Sequence, residues 1–280
     1  MMITKLHTAD YKMVKPLLPG LESHPVINGV IDGNNPGEIY ADDKNNPTTT
    51  FIWAKNEMFY LCGNVENGLF NTALEGFIAT TIRPDAQQNG EVNLNLEIYP
   101  NHDWNGSIHD IFQRVKLLKG ERVPFIFHKE WYTYTEPISV PEGYELKKIT
   151  PELVDQDISH TIKNEIQTFW GDPIDSFYQK GFGFAVVQDT SVIGTCISVF
   201  VSGNDFEIGI NTYDTQHRGK GLATAMARAF VEEALKRGVT PHWTTESFRV
   251  DSVAIAKKVG FEQLENYPAY FLPFTDFIIK

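Results

Sequence analysis

The segment Phe206-Glu-Ile-Gly-Ile-Asn-Thr-Tyr-Asp-Thr-Gln-His-Arg-Gly-Lys-Gly-Leu-Ala223 restricts the possible folds more than any other part of the chain. An apolar strand ends at Thr212, a loop with glycines at 219 and 221 follows, and an alanine-rich helix opens at Leu222. The first N–H groups of a helix have no internal partner, and the helix dipole adds partial positive charge there. A glycine loop at that point lets the backbone approach an anion closely. Arg218 and Lys220 add full charges, a basic island in a chain of net charge −12 from 24 basic and 36 acidic residues. The arrangement suggests a bound phosphate or diphosphate. A bare Gly-x-Gly before a helix more often serves only to seat helix on sheet, so its surroundings must decide.

A phosphate-binding P-loop needs Gly-x4-Gly-Lys-[Ser/Thr], and a dinucleotide fold needs Gly-x-Gly-x-x-Gly near its first strand. Neither is present. What stands here is Gln216-x-x-Gly219-x-Gly221 after an apolar strand. It resembles the signature of the GNAT acyltransferase superfamily. Ser252-Val-Ala-Ile-Ala-Lys-Lys-Val-Gly-Phe261 is similar to that family's second helix and its Lys-x-Gly-Phe ending. Phe169-Trp170, Phe177, Gly181-Phe-Gly-Phe184, Gly37-Glu-Ile-Tyr-Ala-Asp-Asp43 and Phe59–Gly63 resemble a subfamily that includes zwittermicin-resistance acetyltransferases.

The resemblance implies an α/β (α+β) fold with a mixed, mostly antiparallel sheet flanked by helices. In the second half, Tyr144–Lys148, Gly183–Gln188, Ser191–Val201, Phe206–Thr212 and Pro241–Thr245 read as strands. Pro151–Trp170 reads as one or two helices, Ile174–Gln179 and Ser252–Val259 as short ones, and Leu222–Arg237 as a long one ended by Gly238. In the first half, Pro16–Gly37 reads as irregular, Glu38–Ala41, Thr49–Ala54, Met58–Cys62 and Val92–Tyr99 as strands. Leu69–Ile82, stopped by Pro84, and Ile108–Leu118 read as helices, and Val123–Tyr134 as a long β-prone run. Pro137, Pro141 and Gly143 mark a boundary, giving a domain over 1–136 and one over 137–280. The first has the alternation of a GNAT-like half without the glycine loop, so it reads as a degenerate, cofactor-free partner of a catalytic second domain.

The acidic balance argues against a nucleic-acid partner and suits a cationic substrate. Cys62 and Cys196 lie in apolar runs and read as buried, and no metal-ligand spacing appears among the 8 histidines. No leader and no apolar stretch of about 20 residues is seen, so no membrane partner is expected and the cytoplasm is the default address. A homodimer is left open.

By the resemblance, acetyl-CoA is the co-substrate, no metal is needed, and the acceptor is a primary amine of a small molecule. The backbone from Gln216 through His217, Arg218, Gly219, Lys220, Gly221 and Leu222 to Ala223 would hold the diphosphate. Ile210, Asn211 and Thr212 would pair with pantetheine, and Arg249 and Ser252 would reach the cofactor from the last helix. A β-bulge is expected near Gly209, where a backbone N–H of Gly209 or Ile210 would polarise the thioester carbonyl. Glu207, two residues earlier on the same strand face, is the candidate base, with Asp205 second; the alternative is that Glu207 only orients a cation or holds the fold. The family's leaving-group tyrosine aligns with Ala256, so Tyr213, Tyr267, Tyr270 or water would have to serve. Two rivals stand beside the enzyme: a non-catalytic acyl-CoA-binding regulator, and a phosphate-ligand module or nucleotide hydrolase using the same loop.

Overall fold

The computed structural model describes residues 3–98 and 103–277. Contacts divide the chain into two units, Met1–Arg122 with Asn266–Lys280, and Val123–Glu265. The change of unit therefore falls at Arg122/Val123 rather than after residue 136, and the C-terminal segment returns to the first unit. Among the described residues no helix is long and apolar enough to cross a membrane.

In the first unit the elements run β1 (Thr4–Lys5), α1 (Pro25–Ile31), β2 (Gly37–Ala41), β3 (Thr49–Ala54), β4 (Phe59–Gly63), α2 (Gly68–Phe77), α3 (Arg83–Gln88), β5 (Asn93–Glu97), α4 (Asp103–Ile111) and the start of β6 (Leu118–Phe127). β1 to β4 pair antiparallel in sequence order, and β4 pairs parallel with β5. β13 (Tyr267–Pro273) then lies antiparallel between β5 and the first half of β6. Trp53, Phe59, Leu74, Leu96 and Trp104 form its core with Leu272 and Phe274. The C-terminal strand belongs here because its apolar residues complete that core.

Three sequence expectations change in this unit. The stretch expected to be irregular holds α1, with Pro25 in its first turn and His24 Nδ1 accepting the Ile27 N–H. A helix of one or two turns is too short to show periodicity. Pro84 does not stop the helix: a π turn over Ile78–Ile82 links α2 to α3, with Arg83 N–H bonding Ile78 O. Helix α4 ends at Ile111 because the buried Glu75 carboxylate takes the amides of Arg114 (2.8 Å) and Val115 (3.0 Å). Tyr99, expected at a strand end, lies outside the described residues.

The second unit opens with the rest of β6. Its elements are β7 (Glu145–Lys148), α5 (Pro151–Gln156), α6 (Thr161–Trp170), α7 (Asp175–Lys180), β8 (Gly183–Gln188), β9 (Ser191–Ser202), β10 (Asp205–Thr212), α8 (Leu222–Arg237), β11 (Thr240–Glu246), α9 (Val250–Lys258) and β12 (Phe261–Gln263). β7, β8, β9 and β10 pair antiparallel in order, β10 and β11 pair parallel, and β12 pairs with the second half of β6. Residues 123–136 stay with this unit because their aromatic side chains settle on it. The Phe127 ring lies 5.1 Å from Phe261, Tyr132 donates to Glu232 at 2.6 Å, and the Arg228 guanidinium stacks 4.0 Å from the Tyr134 ring.

Helix α8 repeats apolar positions at three- and four-residue spacing, and buries Leu222, Ala225, Met226, Ala229 and Phe230. Its alanines let it come close to the sheet: a Cβ built on Gly194 of β9 would stand 3.0 Å from Met226 Cε. The helix stops at Gly238, φ +71°, where Val239 N–H reaches back to Ala234 O.

Candidate functional site

The site begins where β10 and β11 part. They pair only over Asp205–Glu207 with Thr240–His242. From Ile208 to Thr212, β10 keeps its β9 neighbour, while β11 continues to Glu246 without pairing to it. The register of β10 on β9 shifts between Glu207 and Ile208, so Val199 of β9 is the skipped residue. The bulge expected near Gly209 thus has its extra residue on the neighbouring strand. Gly209 is required by that bulge, since a Cβ there would run into Val199 Cγ1.

Glu207 sits in the fork. It is 6% exposed, and its Oε1 accepts the Thr244 amide of β11 at 2.9 Å. At the fork's root His242 Nε2 lies 2.7 Å from Asp205 Oδ1.

Beyond Thr212 the chain makes a short 3-10 turn over Thr215–His217, with Asp214 accepting the Gln216 N–H. Gly219 and Gly221 follow at φ +75° and +80°, values that side-chain-bearing residues rarely take. A Cβ built on either meets nothing within 4 Å. These glycines therefore serve backbone conformation and open access rather than close packing. No side chain caps α8, so its first amides face outward.

A groove of about 410 Å³ runs from this helix start along α9. Of the residues expected to hold a cofactor, Ile210, Asn211, Thr212, His217, Arg218, Gly219, Gly221, Leu222, Ala223, Arg249 and Ser252 line it. Gln216 and Lys220 do not. The Gln216 amide bonds Asp214 Oδ2 at 2.9 Å, and Lys220 Nζ bonds the Tyr144 hydroxyl at 2.9 Å, over its ring. Both brace the loop from a neighbouring hollow, where Tyr144 also holds His217 Nδ1 at 2.8 Å. Arg218 reaches back to Thr212 O, which ties loop to strand.

Thr224, Asp251, Ile255 and Lys258 also line the groove, though none of them was expected to hold a cofactor. Ser252, Ile255 and Lys258 fall three apart on α9, one stripe of a helix that was expected. Arg218, Arg249 and Lys258 put three cations on the groove against one carboxylate, Asp251. An uncapped helix start, two open glycines and this charge balance fit a polyphosphate.

One side chain couples the groove to a second polar cluster. Asn211 Nδ2 donates to Glu165 Oε1 of α6 at 2.8 Å, and the Tyr213 hydroxyl lies 2.7 Å from Thr195 Oγ1. Burial raises the Glu165 pKa, against the hydrogen bonds of Asn211 and Tyr213. Burial and the nearby Glu165 charge raise that of Tyr213. Ala256 is fully buried and brings no polar atom to the groove. Trp170 and Trp243 are core residues, their indole N–H groups donating to Ser198 O and Ser252 Oγ. Cys62 and Cys196 are buried and unpaired, and burial pushes the Cys62 thiol up to about 12.

Comparison with known proteins follows from this geometry. A family model described as GNAT acetyltransferase matches residues 15–270. YdfB, described as an uncharacterized N-acetyltransferase of Bacillus subtilis (strain 168), is 23% identical over 269 residues, covering 96% of this chain and 98% of that protein. A GCN5-related N-acetyltransferase-like protein from Streptococcus suis 89/1591 shares the fold with TM-score 0.67 at 19% identity, over 94% of this chain and 98% of that one. A tandem GNAT protein from the clavulanic acid biosynthesis pathway matches with TM-score 0.60 at 12% identity, over 97% and 98%.

Proposed function

Because the chain belongs to the GNAT acetyltransferase family, we propose that its second unit transfers an acetyl group from acetyl-CoA to a primary amine of a small molecule. The observation that carries this reading is the uncapped, glycine-bared start of α8, opening onto a groove with three cations in a chain of net charge −12. The loop amides from Arg218 to Ala223 and the three cations would hold the diphosphate end, and the free stretch Ile210–Thr212 would hold the pantetheine arm. Acetyl-CoA supplies the activated acyl group. A backbone N–H at Gly209 or Ile210, aimed into the fork, would stabilise charge on the carbonyl oxygen. The attacking amine must be neutral, so a carboxylate on the Gly209 face has to accept a proton; Glu207 is the one that sequence singles out. The first unit lacks such a glycine loop and is read as a degenerate, cofactor-free partner. Resemblance to zwittermicin-resistance enzymes suggests an antibiotic-like or metabolite amine.

Calorimetry should show coenzyme A binding with ATP much weaker, and an amine panel should release free thiol. No coenzyme A binding at all would end the reading. Ala256, buried at the position where the resemblance implies a tyrosine, favours a second reading as an acyl-CoA-binding regulator. Binding without turnover on every amine would establish that one instead.

A further inference from the structure

In the reaction proposed above, the amine sheds its proton on the face of β10 that carries Gly209. Glu207, Gly209 and Asn211 alternate onto that face, opposite the α8 side. Helix α6 covers it. Its Glu165 accepts from Asn211 at 2.8 Å, and one turn later Phe169 stands edge-on to Phe200, the register partner of Glu207. The helix therefore runs alongside this stretch of β10, and along the strand the two carboxylates, Glu207 and Glu165 at Asn211, stand on either side of Gly209. The two carboxylates are held differently. Glu207 is buried and clamped to the Thr244 amide in the fork. Glu165 is half-buried, and the groups that offset its desolvation are Asn211 and Tyr213, neither of them a cation. A desolvated carboxylate compensated by neutral groups gains most when an ammonium is brought beside it.

We infer that Glu165 takes the proton from the acceptor amine, that Asn211 aims its carboxyl toward Gly209, and that Glu207 anchors the fork. This rests on the acetyl-transfer reading. Asn211 is two residues, roughly 7 Å, from Gly209, a span that a carboxyl bridges through one water. The ammonium gives one proton to Glu165, and its freed lone pair attacks the thioester carbonyl carbon. The C–N bond forms, the C–S bond breaks, the thiolate takes the second nitrogen proton, and Glu165 returns its own to water. Burial raises the Glu165 pKa toward working pH, which suits a base. Tyr213 is the titratable group that faces it, and Asp157 adds charge near Tyr213.

The test pairs Glu165→Gln with Glu207→Gln, reading coenzyme A affinity by calorimetry and kcat/KM against pH. Glu165→Gln should keep coenzyme A affinity and lose about 100-fold in kcat/KM at neutral pH. Its wild-type acid limb should give way to a rate that climbs with pH until the amine itself is neutral. Asn211→Ala keeps the carboxyl but removes a hydrogen bond to its charged form, so its acid limb should move to higher pH. That second variant reads the same point if Glu165→Gln fails to fold. An intact limb in Glu165→Gln with a lost limb in Glu207→Gln overturns the inference. So does a Glu165→Gln deficit confined to coenzyme A affinity. A wild-type protein that binds no coenzyme A, or acetylates no amine, removes the underlying reading and this inference together, and shows itself before any variant is made.

Discussion

The two units build the same junction and finish it in opposite ways. Each runs antiparallel strands into a helix and returns on a parallel strand: β4 into α2 and back on β5, β10 into α8 and back on β11. In the first unit the junction is closed. Asn67 Oδ1 caps α2 by accepting the Phe70 amide, and Asn67 Nδ2 donates to Asp42, whose carboxylate would repel an anion. β4 also parts from β5 after Tyr60, but the buried Glu97 opposite it is held by Arg122 at 2.7 Å and by the Tyr267 hydroxyl at 2.9 Å. In the second unit Gly221 leaves α8 uncapped, the fork opens after Glu207, and cations face the gap. A capped helix start and a buried carboxylate held by an arginine and a tyrosine contribute stability. An uncapped start and an open fork forgo that contribution and leave polar backbone available to a ligand.

Four substitutions would break or sharpen this contrast. Glu97→Ala strands Arg122 in the first unit, and should lower unfolding stability by about 3–5 kcal/mol in denaturant titration. An unchanged midpoint would mean that the buried pair does not hold this interface. Gly221→Asp brings a carboxylate to the open helix start. Coenzyme A affinity should fall about 100-fold, or about 2.7 kcal/mol, by calorimetry; unaltered binding would place the diphosphate elsewhere. Gly209→Ala forces a methyl against Val199, for a cost of about 1–3 kcal/mol. Adding Val199→Ala should restore most of it, and a failure of that rescue would show that the bulge does not set the need for glycine. Asn67→Ala removes the cap of α2, which should cost about 1 kcal/mol in thermal unfolding while leaving coenzyme A affinity unchanged. A change in that affinity would contradict the assignment of closed and open junctions.

Legibility in sequence followed range. Helix α8 was readable to its last residue because amphipathic spacing and Gly238 are local signals. The glycine loop was readable because positive φ and a bare backbone demand one residue type. Gln216 and Lys220 belong to the same motif, yet their side chains turn from the groove because Asp214 and Tyr144 claim them. Nothing local to Ile108–Leu118 announces that Glu75 will take the amides of Arg114 and Val115 and end the helix early.

From the chain alone, then, came the family, the strand–loop–helix that offers backbone to an anion, and most residues beside it, because each rests on neighbours within a few positions. Tertiary structure alone decided that residues 123–136 join the second unit, that residues 266–280 return to the first, and that Glu165 meets Asn211 across 46 positions. Those outcomes depend on which distant apolar and polar partners become buried together. Burial is settled by the assembled fold and leaves no short-range period or motif to read.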